Sequence, residues 1–321
     1  MMNLHVIKRQ FLKKEIIMIK IFGHRSPDTD ATGSAIIWAW YINQKVKTAI
    51  PYVLGTPNTE AAFVIKRWGF KSPELLTFAG KNSDIIIVDT NNPSELPDDV
   101  NDANIIEIID HHMLVGGLKT KNPINFTLKP VASTATIMAG MMGNDLATAP
   151  EGIKGLILSC ILSDTLEFRS PTTTDIDIDL AKLLATDLNI NIAEYAGEMF
   201  AAKSDVSRFS NAELLRMDSK EYELNGKRLR VSVLETTSPE ILLSRKKSLM
   251  DEMISVAKED RLDQVLLFII DILNEHATLL IPNELVKSIA EKSFNISIDS
   301  DTVILPGVIS RKKQIIPKLV F

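Results

Sequence analysis

Residues 18–35, MIKIFGHRSPDTDATGSA, decide how the chain is read. The apolar run Ile16–Phe22 has the composition of a buried strand, and Gly23 ends it. Pro27 forbids helical continuation, and Ala31 opens an amphipathic pattern that predicts a helix reaching Lys45. His24, Asp28 and Asp30 therefore fall on a tight loop at a strand-to-helix junction. Asp30 is a natural N-cap for that helix. Capping has no need of an imidazole, so His24 points beyond capping to a cation site.

Working outward, the same grammar repeats as far as about Ile190. Short apolar runs predict strands at Thr48–Val53, Asp84–Val88, Asn104–Ile109 and Ile124–Leu128. Longer amphipathic runs predict helices at Thr59–Trp68, Ser133–Met142, Ile153–Leu162 and Ile176–Leu188. This alternation is that of a mostly parallel sheet covered by helices. Three further ligand-type clusters follow apolar runs: Asp89 in IIIVDT, His111 and His112 in IIDHH, and Asp164 in ILSDT. An aspartate after IIIV is costly unless it caps, pairs or binds metal. Neighbouring residues of a strand point to opposite faces, so His111 and His112 are expected to divide their tasks, one on metal and one on substrate or a carboxylate. In such a sheet, groups at strand ends gather in the crevice along the carboxyl edge. Nitrogen and oxygen donors without thiolate indicate manganese, cobalt, zinc or magnesium. Two such ions about 3.5–4 Å apart are the arrangement used for in-line phosphoryl displacement, with hydroxide as nucleophile.

Near Ala201–Asn211 the rhythm breaks into small and polar residues, which marks a linker. KEYELNGKRLRVSVLE then alternates around Asn225-Gly226, a two-residue hairpin signal. A polar helix over Pro239–Arg261, strands Val265–Asp271 and Ala277–Ile281, a helix Glu284–Phe294 and a last strand Ile315–Phe321 complete a smaller mixed unit. Before that last strand, Ser310-Arg311-Lys312-Lys313-Gln314 sets three cations in a row. Arginine can grip phosphate oxygens bidentately and lysine adds a point charge, so the run reads as a phosphate clamp as well as a solvated face.

The composition narrows the partners. The 321 residues carry a net charge of −5, so no bulk positive field collects nucleic acid. Aromatics at 6% are sparse for stacking bases. No apolar run reaches the roughly 18–20 residues that cross a bilayer, and the single cysteine, Cys160, lies in an apolar stretch. A cytoplasmic protein without membrane or nucleic-acid partners is expected. Residues 1–17 lack the features of a secretory signal, and Met18 opens the first strand, so a natural start near Met18 is expected.

On GHRSPDTD, VDT, IDHH, SDT and SRKKQ, the chain from Met18 to Phe321 resembles the manganese-dependent, family II inorganic pyrophosphatases of the DHH phosphoesterase superfamily. The first four motifs are shared across the superfamily, and SRKKQ is particular to the pyrophosphatases. The resemblance implies that His24 and Asp28 hold one metal, Asp30 and His111 the other, and Asp89 and Asp164 bridge both. It places His112 beside the substrate, gives Ser310, Arg311 and Lys312 to the pyrophosphate, and brings in Mg²⁺ with it. The family also has a substrate-binding lysine just after the linker helix. The residue following VSR here is Phe209, so Lys203 or Arg208 would have to substitute. The short spacing from IDHH to SDT leaves no room for the regulatory nucleotide-binding insert of some relatives.

The expectation is thus an α/β protein with an extension (1–17), a mostly parallel DHH domain (18–200), a hinge (201–211) and a smaller mixed substrate-binding domain (212–321). It would hydrolyse pyrophosphate by attack of a metal-bridging hydroxide at two Mn²⁺ or Co²⁺ ions per subunit, with catalytic roles for His112, Asp89 and Asp164. The resemblance further implies a homodimer through the N-terminal domain. A superfamily nuclease would carry a glycine-rich GGGH-type motif in the second domain, and none occurs. A non-enzymatic binder would have lost a ligand, and all six are present.

Overall fold

The structure, a computed structural model, describes residues 18–45, 48–206 and 209–320. The extension and the expected start near Met18 therefore fall outside the described residues. The first unit runs β1 (Met18–Phe22), α1 (Thr29–Asn43), β2 (Thr48–Val53), α2 (Thr59–Arg67), β3 (Glu74–Leu75), β4 (Asp84–Val88), β5 (Asn104–Asp110) and β6 (Asn125–Leu128). Four helices follow: α3 (Thr134–Met142), α4 (Glu151–Thr165), α5 (Asp175–Asp187) and α6 (Ile192–Ser204). The second unit comprises α7 (Asn211–Met217), β7 (Ser219–Leu224), β8 (Lys227–Thr236), α8 (Pro239–Leu243), α9 (Lys246–Glu259), β9 (Gln264–Asp271), β10 (His276–Leu280), α10 (Glu284–Phe294) and β11 (Thr302–Pro306).

The first six strands form one sheet in the order β3-β2-β1-β4-β5-β6, parallel throughout. Ile85, Ile86, Ile87 and Val88 are all buried, because helices and loops cover both faces of a parallel sheet. Each such side chain contributes about 1.5–3 kcal/mol of burial. The strand order reverses at β1 and β4, which opens a crevice at their carboxyl ends. The loop after β1 carries His24, Asp28 and Asp30, and Asp89 follows β4. The second sheet is mixed, in the order β11-β10-β9-β8-β7, with β8 and β9 parallel and the other pairs antiparallel. Asn225 and Gly226 turn the β7–β8 hairpin with φ of 49° and 72°, as a tight turn of the strand-matching hand requires. One buried apolar cluster runs from Leu156, Tyr195 and Phe200 to Val231, Val233 and Phe268, so the two units pack on a common core.

Several expectations need correction. Helix α1 starts at Thr29, because Asp28 rather than Asp30 caps it, accepting from the Ala31 N–H. The polar helix of Pro239–Arg261 is broken at Ser244–Arg245 into α8 and α9. The stretch read as a linker begins inside α6, which ends at Ser204. The strand expected at Ile315–Phe321 is absent from the described residues: Arg311–Ile315 forms a π-helical turn and Ile316–Lys318 a 3₁₀ turn. Ser310 Oγ accepts from the Lys313 N–H, and Gln314 Oε1 accepts from the Ile309 and Ser310 N–H groups, so local bonds outweigh the strand preference of the isoleucines. The sheet edge is formed earlier, by β11.

Candidate metal centre and substrate cleft

The loop after β1 folds tightly because residue 23 is glycine: a Cβ there would lie 2.8 Å from that of Ala31. This closeness lays the loop against α1 and turns His24 inward, 5% exposed. Its Nε2 lies 3.6 Å from Asp28 Oδ2 and 3.4 Å from Asp89 Oδ2. Burial alone would lower the imidazole, but Asp28 and Asp89 outweigh it and raise His24 to about 10. Asp89 itself turns the chain with φ of 59°, a conformation aspartate tolerates better than most residues. Against burial, the His111 and His24 bonds hold its carboxyl well below the usual range.

Strand β5 ends at Asp110, so His111 and His112 sit in a bend and not on opposite strand faces. Their rings meet edge to face at 4.4 Å, and both reach Asp89, at 3.3 Å from His111 Nε2 and 3.7 Å from His112 Nδ1. Their second partners differ. His111 Nδ1 is 3.0 Å from the Val131 carbonyl, which leaves Nε2 as its ligand atom. His112 Nδ1 is 2.9 Å from the buried Asp110 carboxylate, while its Nε2 faces the Lys220 ammonium at 3.3 Å. Burial, then Lys220 and His111, lower His112 to about 4, so its ring is neutral at neutral pH, donating through Nδ1 and accepting through Nε2.

Asp30 lies inside the first turn of α1 and is held by the start of α3. Its carboxylate accepts from Ser34 Oγ, Ser133 Oγ, the Thr134 N–H at 2.6 Å and the Ala135 N–H. A helix N-terminus favours the negative charge it meets. Burial and the Asp89 charge nevertheless raise Asp30 to about 7. Asp164, in the last turn of α4, is pushed well above the carboxylate range by burial and then by Asp30, Asp28 and Asp89. Its buried Oδ2 has no hydrogen-bond partner.

These observations test whether divalent cations suit the site. His24, Asp28 and Asp89 form one group with ligand atoms within 4.8 Å of one another, and Asp30, His111 and Asp164 form a second that shares no residue with it. The donors are nitrogen and oxygen only. The buried Asp164 oxygen, beside three other acidic side chains and without a hydrogen-bond partner, is one that a divalent ion would satisfy. The residues fit the group.

Opposite this acidic pole, the second unit presents cations. Lys220 on β7 pairs with Glu95 at 3.3 Å; burial lowers it, but Glu95, with Asp89 and Tyr222 behind it, raises it on balance. Arg311 Nη1 is held by Asp218, at 3.0 Å from its carbonyl and 2.7 Å from its carboxylate. Lys312 Nζ donates to the His111 carbonyl at 2.8 Å. Ser310 is buried and caps the turn that carries both. Asp89, His112, Asp164, Lys220, Arg311 and Lys312 line one cleft. Lys203 is directed elsewhere within that cleft's wall, its ammonium held between Glu60 and Glu235. Arg208 lies outside the described residues.

Lys220 did not emerge from the sequence reading. The available signal was the alternation of β7, where Lys220, Tyr222 and Leu224 occupy the less exposed face and Glu221 and Glu223 the exposed one. A lysine on the inward face of such a strand requires a reason, and Glu95 and His112 provide it. Asp110 and Asp218, which orient His112 and Arg311, were likewise passed over.

The family comparisons agree with this architecture. The DHH family N-terminal domain matches residues 18–163 and the DHHA2 domain residues 197–320. A manganese-dependent inorganic pyrophosphatase of Methanocaldococcus jannaschii is 37% identical over 308 residues, covering 93% of this chain and 97% of its own. One from Bacillus subtilis is 37% identical over 303 residues, covering 94% and 97%. A crystal structure of a family II inorganic pyrophosphatase from Methanococcus jannaschii superimposes with a TM-score of 0.83 at 36% identity, covering 94% of this chain and 98% of that one.

Proposed function

The chain belongs to the manganese-dependent, family II inorganic pyrophosphatases of the DHH superfamily, and on that premise we propose that it hydrolyses pyrophosphate to two phosphates in the cleft between its sheets. One juxtaposition carries the reading. Asp28, Asp89, His111 and Asp164, with His24 and Asp30 grouped behind them, line one cleft with Lys220, Arg311 and Lys312 of the second unit. An anionic pole suits divalent cations, and the adjacent cationic pole suits phosphate oxygens.

In this reading His24, Asp28, Asp30, Asp89, His111 and Asp164 would hold the manganese or cobalt. Bound divalent ions would supply Lewis acidity toward phosphoryl oxygens and toward a water nucleophile. The remaining work falls to the chain's own side chains. Asp110 fixes the tautomer of His112, whose Nε2 lone pair faces the cleft and orients a donor there. Being nearly unprotonated at neutral pH, His112 positions more than it stores a proton. Asp218 holds one arm of Arg311, which leaves the rest of the planar fork for phosphate oxygens. Lys220 takes the place that the sequence reading had reserved for Lys203 or Arg208. Mg²⁺ would accompany the diphosphate as part of the substrate.

The units divide at the connection between α6 and α7, which serves as the hinge. Closure of the second unit excludes water and brings Arg311 and Lys312 onto the substrate. The open edge of β6, with Phe126 and Leu128 exposed, supports a homodimer. A single buried cysteine suits a cytoplasmic setting, and among the described residues no helix is long and apolar enough to cross a membrane.

The test is phosphate release by metal-stripped protein reloaded with Mn²⁺, Co²⁺, Zn²⁺ or Mg²⁺, with tripolyphosphate and short oligonucleotides offered beside pyrophosphate. Fast turnover of pyrophosphate with Mn²⁺ or Co²⁺ is expected. Oligonucleotide cleavage without pyrophosphate turnover would defeat the assignment of the second unit.

A further inference from the structure

Glu60, in the first turn of α2, is fully buried, yet it belongs to none of the candidate ligand groups. Its Oε2 accepts from Thr29 Oγ1 at 2.9 Å and Ser163 Oγ at 2.6 Å. Thr29 stands between Asp28 and Asp30, and Ser163 precedes Asp164. One carboxylate oxygen thus ties together the backbone carrying three of the six ligands, across two helices. Glu60 Oε1 has no hydrogen-bond partner. A buried carboxylate so placed needs a cation, and among the described residues Lys203 Nζ provides it at 3.4 Å.

The same ammonium is bonded to Glu235 of β8, in the second sheet. The last turn of α6, which bears Lys203, is fixed on both sides. Thr59 Oγ1 donates to the Lys203 carbonyl at 3.4 Å, and the Thr237 N–H donates to Ser204 Oγ at 2.9 Å. The connection to the second unit leaves directly after this turn. Lys203 is therefore the shared counter-ion of buried Glu60 and half-buried Glu235, one from each unit, at the point where the units join.

We propose that Lys203 is a positioning residue that couples the placement of the second unit to the metal-ligand scaffold, acting on Asp28, Asp30 and Asp164 through Glu60 and on β8 through Glu235. The proposal rests on the reading of those aspartates as metal ligands. Substrate closing the second unit then strengthens the cation site, and metal in the site favours closure.

Two readouts separate this role from a substrate contact: Mn²⁺ affinity without substrate, followed by the electron paramagnetic resonance of free Mn²⁺, and KM for pyrophosphate at saturating Mn²⁺. Lys203→Met should weaken Mn²⁺ binding tenfold to a hundredfold, as loss of a group that orients ligands does, and also raise KM severalfold. Lys203→Arg should restore both. Should Lys203→Met fail to fold by circular dichroism, the isosteric Glu60→Gln must still weaken Mn²⁺ binding at least about tenfold. Unchanged Mn²⁺ affinity in folded Lys203→Met, with or without a raised KM, overturns the coupling, and so does unchanged affinity in Glu60→Gln. Failure of the unmodified protein to bind Mn²⁺ or to turn over pyrophosphate would instead strike the underlying reading.

Discussion

Replacing Lys220 by methionine keeps the reach of the side chain and removes its charge. In the structure that ammonium stands 3.3 Å from His112 Nε2 and 3.3 Å from Glu95 Oε1, so a phosphate oxygen beside His112 lies within direct reach of it. At about 4 Å and an effective dielectric constant near 20, one such charge pair is worth about 4 kcal/mol, and Glu95 already offsets a part. Removal of a single preorganised donor from other sites costs about 10²–10³ in turnover, or about 2.7–4 kcal/mol. Both routes give a loss of about a hundredfold to a thousandfold in kcat/KM. A second signature follows from the histidine. Lys220 is, after burial, the largest cause that holds His112 at about 4 instead of 6.5. Without it the acid limb of the kcat/KM profile should move upward. Steady-state phosphate release across pH 4.5–8, on variant protein with unaltered Mn²⁺ content, measures both. A loss below about fivefold with an unmoved acid limb would refute the placement of Lys220 at the substrate.

Asp89→Asn should lower turnover by several orders of magnitude while leaving circular dichroism unchanged, because asparagine also accepts the φ of 59° and the Thr134 bond; near-normal turnover would remove Asp89 from the metal site. Lys312→Ala should raise KM or slow chemistry without releasing metal, and loss of Mn²⁺ from this variant would show that its bond to the His111 carbonyl supports the ligands instead. His24 offers a test in metal-free protein. Its folded value of about 10 exceeds the ordinary 6.5, so the stability it contributes is complete below pH 6.5 and declines as pH rises toward 10. The melting temperature of the stripped protein should accordingly fall between pH 7 and 9, less steeply in His24→Gln, and equal slopes would contradict the ion pairs drawn for His24.

Local pattern and tertiary placement were legible to different degrees. The β1 loop could be read because glycine, proline and helix onset are local signals, and the runs before Asp89 and His111 are buried enough to leave no alternative to strands. Which aspartate capped α1 was not legible, since Asp28 and Asp30 both have capping chemistry and only the fold shows Asp30 engaged by α3. His111 and His112 departed from strand alternation because β5 ends one residue before them. The Ile315–Phe321 run carries strand propensity, yet Ser310 and Gln314 bond the preceding turn locally, and propensity yields to such bonds. Lys220 and Glu60 were hidden for another reason. Each acts through partners far along the chain, Lys220 through His112 and Glu95, Glu60 through Ser163 and Lys203, and no local period announces such contacts.

The most direct test is a titration of metal-stripped protein with Mn²⁺, recording phosphate release from pyrophosphate against ions bound per chain. The ligand groups His24–Asp28–Asp89 and Asp30–His111–Asp164, joined by the contact of Asp89 with His111, predict that turnover rises until two Mn²⁺ are bound and then holds constant. A plateau at one ion per chain, or pyrophosphate turnover unaffected by stripping, would contradict the account.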